Sequence, residues 1–348
     1  MANSALNGSR PVKVVVINSL SDDQLRRIAD VDPRAPVADA AAQLLEQLPA
    51  ALRPGQTPAP LRPPARPLDE LLSEAEVILA ARQIPIDLAS RAPRLRWIQL
   101  PMSGTEGYKA ADIWTAPDLV VTNAAGISAV PLAEYVLMTM LGLAKNSPRM
   151  FANKAAAQWD RFNLGQLRGQ TLGIVGLGAI GAEVARLAQP FGMNIIALRR
   201  HPERSDASAF RVLPPEGLHE LLAASDYVVL SVPATEATVG MIGPEELAVM
   251  RPSSYLINVA RGDVVDEAAL IDALRHNRLA GAGLDVFRTE PLPDESRLWG
   301  LPNVMLSAHN AGLFDGYDDG VTDLFSDNLR RYLDGDPLLN FVDRSAGY

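Results

Sequence analysis

The sequence contains no cysteine and only four histidines among its 348 residues. Without thiols there can be no disulfide framework, no thiolate nucleophile, no CxxC redox pair and no cysteine-ligated zinc. A reducing, cytoplasmic compartment fits this count, and no metal site is expected. Imidazole acid–base chemistry is confined to His201, His219, His276 and His309. Long apolar runs are also missing. Val14–Ile17 is too short for a signal-peptide core. Ala129–Ala144 is interrupted by Glu134 and falls short of the ~20 residues a bilayer requires, so it reads as a buried helix. Positive charge is outnumbered, 32 Lys and Arg against 41 Asp and Glu, for a formal net charge of −9. That balance argues against a nucleic-acid or anionic-membrane surface. It still permits a locally basic pocket for an anionic small molecule.

The remainder is ordinary globular composition, 48% hydrophobic and 21% charged. The length suggests two domains. Short apolar, β-branched runs at 12–17, 76–80, 95–100 and 120–122 read as buried strands. Residues 33–67 hold nine of the 27 prolines. This density predicts a surface excursion or insertion, with at most a short helix near 39–48. Beyond a helical run at 131–145 the chain changes character. Strand candidates at 171–175, 194–198, 226–232, 254–259 and 281–286 alternate with helix-like stretches at 182–190, 215–224, 245–250 and 267–277. Such alternation predicts an α/β fold with a parallel sheet covered by helices on both faces.

Gly176-Leu177-Gly178-Ala179-Ile180-Gly181 is a GxGxxG placed directly between the strand TLGIV and a helix. Alone the hexamer is a weak signal, but in this setting each glycine has a task. Gly176 makes the tight turn, Gly178 lets the backbone approach a pyrophosphate, and Gly181 lets helix pack on strand. Free N–H groups at the start of the helix, Ala179 and Ile180 among them, suit a phosphate. About 20 residues on, an NAD site would carry a carboxylate for the ribose 2′-hydroxyl. Here Arg199 stands 18 residues after Gly181, followed by Arg200 and His201. Two guanidinium groups suit a 2′-phosphate, so NADP(H) is favoured and NAD(H) remains possible.

Three further segments, 258–267 (NVARGDVVDE), 280–291 (AGAGLDVFRTEP) and 306–312 (LSAHNAG), each place polar residues at or just beyond a strand end. Open α/β sheets bind their ligands there. Reduction of a 2-oxo acid needs a cation for the substrate carboxylate and carbonyl, a general acid for the nascent alkoxide, and a carboxylate to keep that acid protonated. Arg261, His309 and Glu290 supply this set.

These motifs together resemble the D-isomer-specific 2-hydroxyacid dehydrogenase family. The likeness covers nearly the whole chain from about residue 70 and includes LRGQTLGIVGLGAIG at 167–181, INVARGDVVDE, LAGAGLDVF with EPLP at 290–293, and NLRRY at 328–332. The resemblance implies the catalytic roles just given to Arg261, Glu290 and His309. It also implies that backbone N–H groups of Ser103 and Gly104 cradle the substrate carboxylate, that Asp285 contacts the nicotinamide end, and that Val232, Pro233 and Thr235 line the adenine side. Two Rossmann-like doubly wound domains are implied. The dinucleotide-binding domain (123–313) would be inserted into a discontinuous substrate domain (1–122 and 314–348), with catalysis in the cleft and homodimers formed mainly through the cofactor domain. Ala308 stands where many relatives carry proline, and Met102–Glu106 departs from the common substrate loop. Glu290 argues against the formate-dehydrogenase branch, which has glutamine there.

The leading expectation is hydride transfer from NADPH to a small 2-oxo acid of the glyoxylate or hydroxypyruvate type, giving the D-2-hydroxy acid. Two alternatives stay open at this point. One is an NAD-linked dehydrogenase of a bulkier 2-hydroxy acid, of 3-phosphoglycerate or of a phosphite-like donor. The absence of any C-terminal regulatory extension after Tyr348 would weaken only the long serine-pathway type. The other is a dinucleotide-sensing interaction protein on the same fold.

Overall fold

The computed structural model describes residues 10–47, 67–204 and 210–344. The chain separates into two compact units, Met1–Ile127 with Asp315–Tyr348, and Ser128–Phe314. The second is a continuous stretch between the two segments of the first.

The first unit carries a five-stranded sheet of β1 (Val14–Val16), β2 (Val37–Asp39), β3 (Val77–Leu79), β4 (Trp97–Gln99) and β5 (Val120–Thr122). All neighbours run parallel in the order β2-β1-β3-β4-β5, a doubly wound arrangement whose order reverses between β1 and β3. The inner strands β1, β3 and β4 are wholly buried, as helices on both faces demand. The C-terminal segment belongs to this unit because the helix Tyr317–Asp334 buries Val321, Phe325 and Leu329 in the same core as Trp97. Phe325 stacks on the Trp97 indole at 5.1 Å and Tyr332 at 5.6 Å. The buried indole N–H is satisfied by Thr122 Oγ1 at 2.9 Å.

One expectation is corrected in this unit. Residues 33–47 are not a surface excursion. Val37–Asp39 is the edge strand β2, and the helix Ala41–Gln47 buries Ala41, Ala42 and Leu44. Proline tolerates this position because an edge strand leaves one side of its backbone unpaired; Pro36 contributes its carbonyl to Val14 N instead. The short helix does fall near 39–48. Residues 48–66 of the proline-rich segment lie outside the described residues.

The second unit holds seven parallel strands: β6 (Thr171–Val175), β7 (Asn194–Leu198), β8 (Arg211–Leu213), β9 (Tyr227–Leu230), β10 (Tyr255–Asn258), β11 (Gly281–Leu284) and β12 (Val304–Leu306). Their order is β12-β11-β10-β9-β6-β7-β8. It reverses between β6 and β9, and the C-terminal edge at such a switch point is where these sheets bind ligands. The register places Asn258, Leu284 and Leu306 side by side at that edge, so the loops after β10, β11 and β12 emerge together. The helix Ala129–Ala144 packs on this sheet through Ala133, Val136, Met140 and Leu143. Gly283 on β11 permits the approach, since a Cβ there would lie 2.2 Å from Thr139 Cγ2.

Candidate functional site

The turn after β6 holds the glycine loop. Gly176 has φ +104°, and a Cβ on it would meet Val232 Cγ1 at 2.8 Å and the Ser231 carbonyl oxygen at 2.9 Å. A Cβ on Gly181 would lie 2.2 Å from the Gly176 carbonyl oxygen, so the helix Ala179–Ala188 can start this close to the strand only with glycine there. At Gly178 an added Cβ would meet nothing within 4 Å, and Gly178 and Ala179 are exposed. The first-turn N–H groups of a helix lack intrahelical acceptors, so Ala179, Ile180 and Gly181 present donors and a positive dipole end to this open space. A dinucleotide pyrophosphate fits that cradle.

The other residues expected on the cofactor side lie on neighbouring strand ends. Arg199, half-buried, and exposed Arg200 directly follow β7, the strand beside β6. Arg199 N donates to the Leu213 carbonyl at 3.0 Å, fixing its backbone to β8. After β9, Ser231 Oγ donates to the Gly176 carbonyl at 2.8 Å. Thr238 Oγ1 donates to the Pro233 carbonyl at 2.5 Å and accepts from Thr235 N at 2.8 Å. Thr238 thus shapes the loop carrying Val232, Pro233 and Thr235. Neither Ser231 nor Thr238 was identified from the sequence; hydroxyls just past a strand end were the available signal.

The loops after β10, β11 and β12 bring the second set together. Buried Asn258 accepts from Ala260 N and donates from Nδ2 to the Arg261 carbonyl, both at 3.0 Å. This side-chain turn fixes the backbone of Arg261. The next residue, Gly262, packs so tightly that a Cβ would lie 2.0 Å from the Phe287 carbonyl carbon. Arg261 is therefore docked against the loop that carries Glu290. Glu290 Oε1 accepts from Phe287 N at 3.0 Å, and its Oε2 lies 2.7 Å from His309 Nδ1. The Glu290–Pro291 peptide bond is cis.

His309 sits at φ +50°, a left-handed conformation uncommon for a non-glycine residue. The Asp285 side chain shows how that is held. It is 2% exposed, and its carboxylate accepts from Ser307 Oγ at 2.6 Å, Asn310 N at 3.0 Å and Ala311 N at 3.1 Å. The Asp285 carbonyl accepts from His309 N at 2.8 Å. Three donors from one loop converge on one buried carboxylate, and Ala308 lies inside that loop. Tyr135 OH shares a 2.6 Å hydrogen bond with Ser307 Oγ. Burial raises the Tyr135 pKa above the usual phenol value, which keeps this hydroxyl neutral. The bracing of the His309 loop by Asp285, Ser307 and Tyr135 was not foreseen.

The other three histidines sit elsewhere. His201 Nδ1 is 3.4 Å from Glu203 Oε1. His276 Nδ1 is 3.0 Å from Asp272 Oδ1, within its own helix end. His219 sits 3.0 Å from Glu246 Oε1 and holds that carboxyl below its ordinary pKa by hydrogen bonding. It is exposed between two surface helices, with no arginine of the strand-end set near it in sequence.

Ser103 and Gly104 belong to the first unit, in the loop after β4. Asn123 Nδ2 donates to the Ser103 carbonyl at 2.8 Å, and Ser103 Oγ donates to the Ala124 carbonyl at 3.3 Å. Their own two N–H groups donate to no backbone acceptor among the described residues. Two consecutive unpaired donors beyond a strand end can receive a carboxylate. Among the described residues there is no cluster of side chains able to hold a metal ion, and no helix long and apolar enough to cross a membrane.

Comparison with known proteins finds relatives over most of the chain. A D-3-phosphoglycerate dehydrogenase of Methanocaldococcus jannaschii is 31% identical over 79% of this chain, and the chain spans only 53% of that protein. A glyoxylate reductase of Thermococcus gammatolerans is 35% identical, over 78% of this chain and 84% of that one. Among solved structures, a D-isomer specific 2-hydroxyacid dehydrogenase from Xanthobacter autotrophicus Py2, in complex with NADPH and MES, superposes with a TM-score of 0.77 at 28% identity, covering 96% of this chain and all of that one. Residues 137–311, which contain the glycine loop, Arg261, Glu290 and His309, match the model for the NAD binding domain of one family, and with relatives of this identity and coverage the chain belongs to the D-isomer specific 2-hydroxyacid dehydrogenases.

Proposed function

We propose that this enzyme reduces a small 2-oxo acid of the glyoxylate or hydroxypyruvate type to the D-2-hydroxy acid, with NADPH preferred to NADH. The observation that carries this reading is the 2.7 Å His309–Glu290 pair, set on the strand-end register that also positions Arg261. The dinucleotide, when bound, supplies the hydride. Arg261 holds the substrate carboxylate and draws electron density onto the carbonyl oxygen. As hydride reaches the carbonyl carbon, negative charge develops on that oxygen, and His309 transfers a proton to it from Nε2. Nδ1 is engaged by Glu290, while Nε2 has no partner among the described residues. Glu290, held 2.7 Å from Nδ1, fixes the ring's orientation. The N–H groups of Ser103 and Gly104 are the proposed carboxylate cradle.

Gly176, Gly178, Ala179, Ile180 and Gly181 are assigned to the pyrophosphate, and Val232, Pro233 and Thr235 to the adenine side. Arg199 and Arg200 are assigned to the 2′-phosphate, in keeping with the absence of a carboxylate after β7 and with the NADPH held by the Xanthobacter relative. Asp285 acts near the nicotinamide end by holding the His309 loop. A homodimer is proposed from the helix Ser147–Ala155, none of whose residues is buried, and from the exposed apolar side chains Phe151 (69%), Trp159 (93%) and Leu164 (49%) close by. A cytoplasmic setting without nucleic-acid or membrane partners fits the absence of cysteine and the acidic charge. Steady-state rates on glyoxylate and hydroxypyruvate with each dinucleotide test the reading. NADPH should give the higher kcat/KM on both; equal or better rates with NADH would overturn the cofactor assignment.

A further inference from the structure

The Ser103–Gly104 loop is held by the residues that follow the neighbouring strand. β4 and β5 pair in parallel, so the loops after Gln99 and Thr122 leave the sheet side by side. Ala124 N donates to the Met102 carbonyl at 3.2 Å, and Asn123 Nδ2 donates to the Ser103 carbonyl at 2.8 Å. Each of these carbonyls shares a peptide unit with one of the proposed carboxylate donors: Met102 O with Ser103 N–H, and Ser103 O with Gly104 N–H. Both peptide bonds are trans, and in a planar trans peptide the C=O and N–H point in opposite directions. Holding the two carbonyls therefore turns both N–H groups away from Asn123 and Ala124. A hydrogen bond accepted at the carbonyl also strengthens the N–H of the same unit as a donor. The 103–104 unit has most need of a hold, because glycine at 104 lets it rotate at little cost.

Asn123 is itself fixed and buried. Its Oδ1 accepts from Ala125 N at 3.1 Å. Its backbone N–H donates to the Asn340 carbonyl at 3.1 Å, and its carbonyl accepts from Asn340 Nδ2 at 3.3 Å. Asn340 Nδ2 also donates to the Ala125 carbonyl at 2.8 Å, from a left-handed backbone at φ +55°. One residue earlier, Leu339 N donates to Asn328 Oδ1 at 2.7 Å, and Asn328 Nδ2 donates to Gln99 Oε1 at 2.9 Å. Asn328 opens the NLRRY stretch, and Gln99 is the last residue of β4, so the circuit closes where the substrate loop begins. The C-terminal segment thus braces Asn123, and the Asn123 amide passes that bracing to the Ser103 carbonyl.

We propose that Asn123 is a positioning residue for substrate binding: its amide sets the plane of the Ser103–Gly104 peptide, so that the Gly104 N–H is presented to the substrate carboxylate. This rests on the 2-oxo acid reduction proposed above. Asn123→Asp keeps the side-chain shape and the Ala125 contact but sets a carboxylate oxygen, in place of the donor, against the Ser103 carbonyl. With the full enzyme, saturating NADPH and neutral pH, the KM for glyoxylate should rise about tenfold, as loss of a charge-assisted contact implies. The change in kcat should be smaller, and NADPH should bind as tightly as to the wild type. Protonation of the new carboxyl restores an O–H donor, and burial moves that protonation above the ordinary carboxyl range. The ratio of variant to wild-type KM should therefore fall as pH is lowered from about 8 to about 5. Ser103, Ala125 and Asn340, the partners of Asn123, carry no ionisable group, so this recovery reports the new carboxyl. Asn123→Ala should raise KM by a similar factor at every pH. Asn340→Gly, which keeps the left-handed backbone without strain, should raise KM severalfold and decides the matter if the Asn123 variants do not fold. A wild-type KM in the Asn123 variants, a KM ratio for Asn123→Asp that is constant with pH, or, where those variants fail to fold, a wild-type KM in Asn340→Gly would overturn the inference and leave 2-oxo acid reduction standing. Absence of wild-type turnover on both glyoxylate and hydroxypyruvate would overturn both.

Discussion

At the scale of single residues, three side chains are proposed to carry the chemistry, and a few small ones make room for them. Glu290→Gln keeps the shape of the side chain but removes the charge beside His309 Nδ1. Hydrogen bonds to charged groups are worth about 1.5–3 kcal/mol, so kcat should fall roughly 10- to 100-fold, with dinucleotide binding intact by fluorescence titration. An unchanged kcat would remove Glu290 from the mechanism. Arg199→Ala should lower kcat/KM for NADPH by a similar roughly 10- to 100-fold factor while sparing NADH; parallel losses with both would show that Arg199 does not touch the 2′-phosphate. Gly262→Ala forces a Cβ to within 2.0 Å of the Phe287 carbonyl carbon. Overpacking of this kind costs about 1–3 kcal/mol, so a lowered melting temperature and a weakened activity from the displaced Arg261 should appear together. The sequence singled out Arg261, Glu290 and His309 as candidates because the proposed chemistry calls for those residue types at strand ends, and the structure brings Glu290 and His309 within 2.7 Å of each other. It did not show Gly262 as a packing requirement, because the atom it avoids belongs to a loop 25 residues away.

At the scale of elements, the account turns on β10, β11 and β12 ending in register, and on the Asp285 carboxylate that gathers the loop after β12. Ser307→Ala removes one donor to Asp285 and the partner of Tyr135 without touching the groups assigned to the pyrophosphate, the adenine side or the 2′-phosphate. Leaving a buried acceptor short of one donor costs about 1–3 kcal/mol. The variant should melt lower and lose kcat severalfold, with NADPH affinity unchanged; a change confined to NADPH affinity would mean the loop serves the cofactor instead. The inner strands were legible, β6 and β7 to the residue, because strands covered on both faces read as continuous apolar runs. Of the edges, β5 was read to the residue, but β2 and β8 were not. β2 is only half-buried throughout, and β8 runs from exposed to buried, so neither carries that signature; the prolines before β2 pointed away from regular structure. The helix Tyr317–Asp334 escaped for a related reason. Its apolar face is narrow and its first turn is acidic, and its burial depends on Trp97, more than 200 residues earlier.

At the scale of the whole molecule, a formal net charge of −9 coexists with proposed ligands that are themselves anions, so their binding would rest on a few local cations and backbone N–H groups. The exposed apolar side chains around Ser147–Ala155 make oligomeric state a property to measure: light scattering should give twice the 37.4 kDa chain mass. Phe151→Asp should shift that toward the monomer, whereas a wild type that is monomeric at all concentrations would contradict the proposed homodimer. The central claim is that His309 is the proton donor in NADPH-dependent reduction of a 2-oxo acid. Its most direct test measures glyoxylate-dependent NADPH oxidation by the wild type and by His309→Gln, alongside NADPH binding to both. The wild type should turn over, and the variant should lose about 10²-fold or more in kcat, the range for a general acid, while binding NADPH as tightly. A variant that retains wild-type kcat would contradict the account.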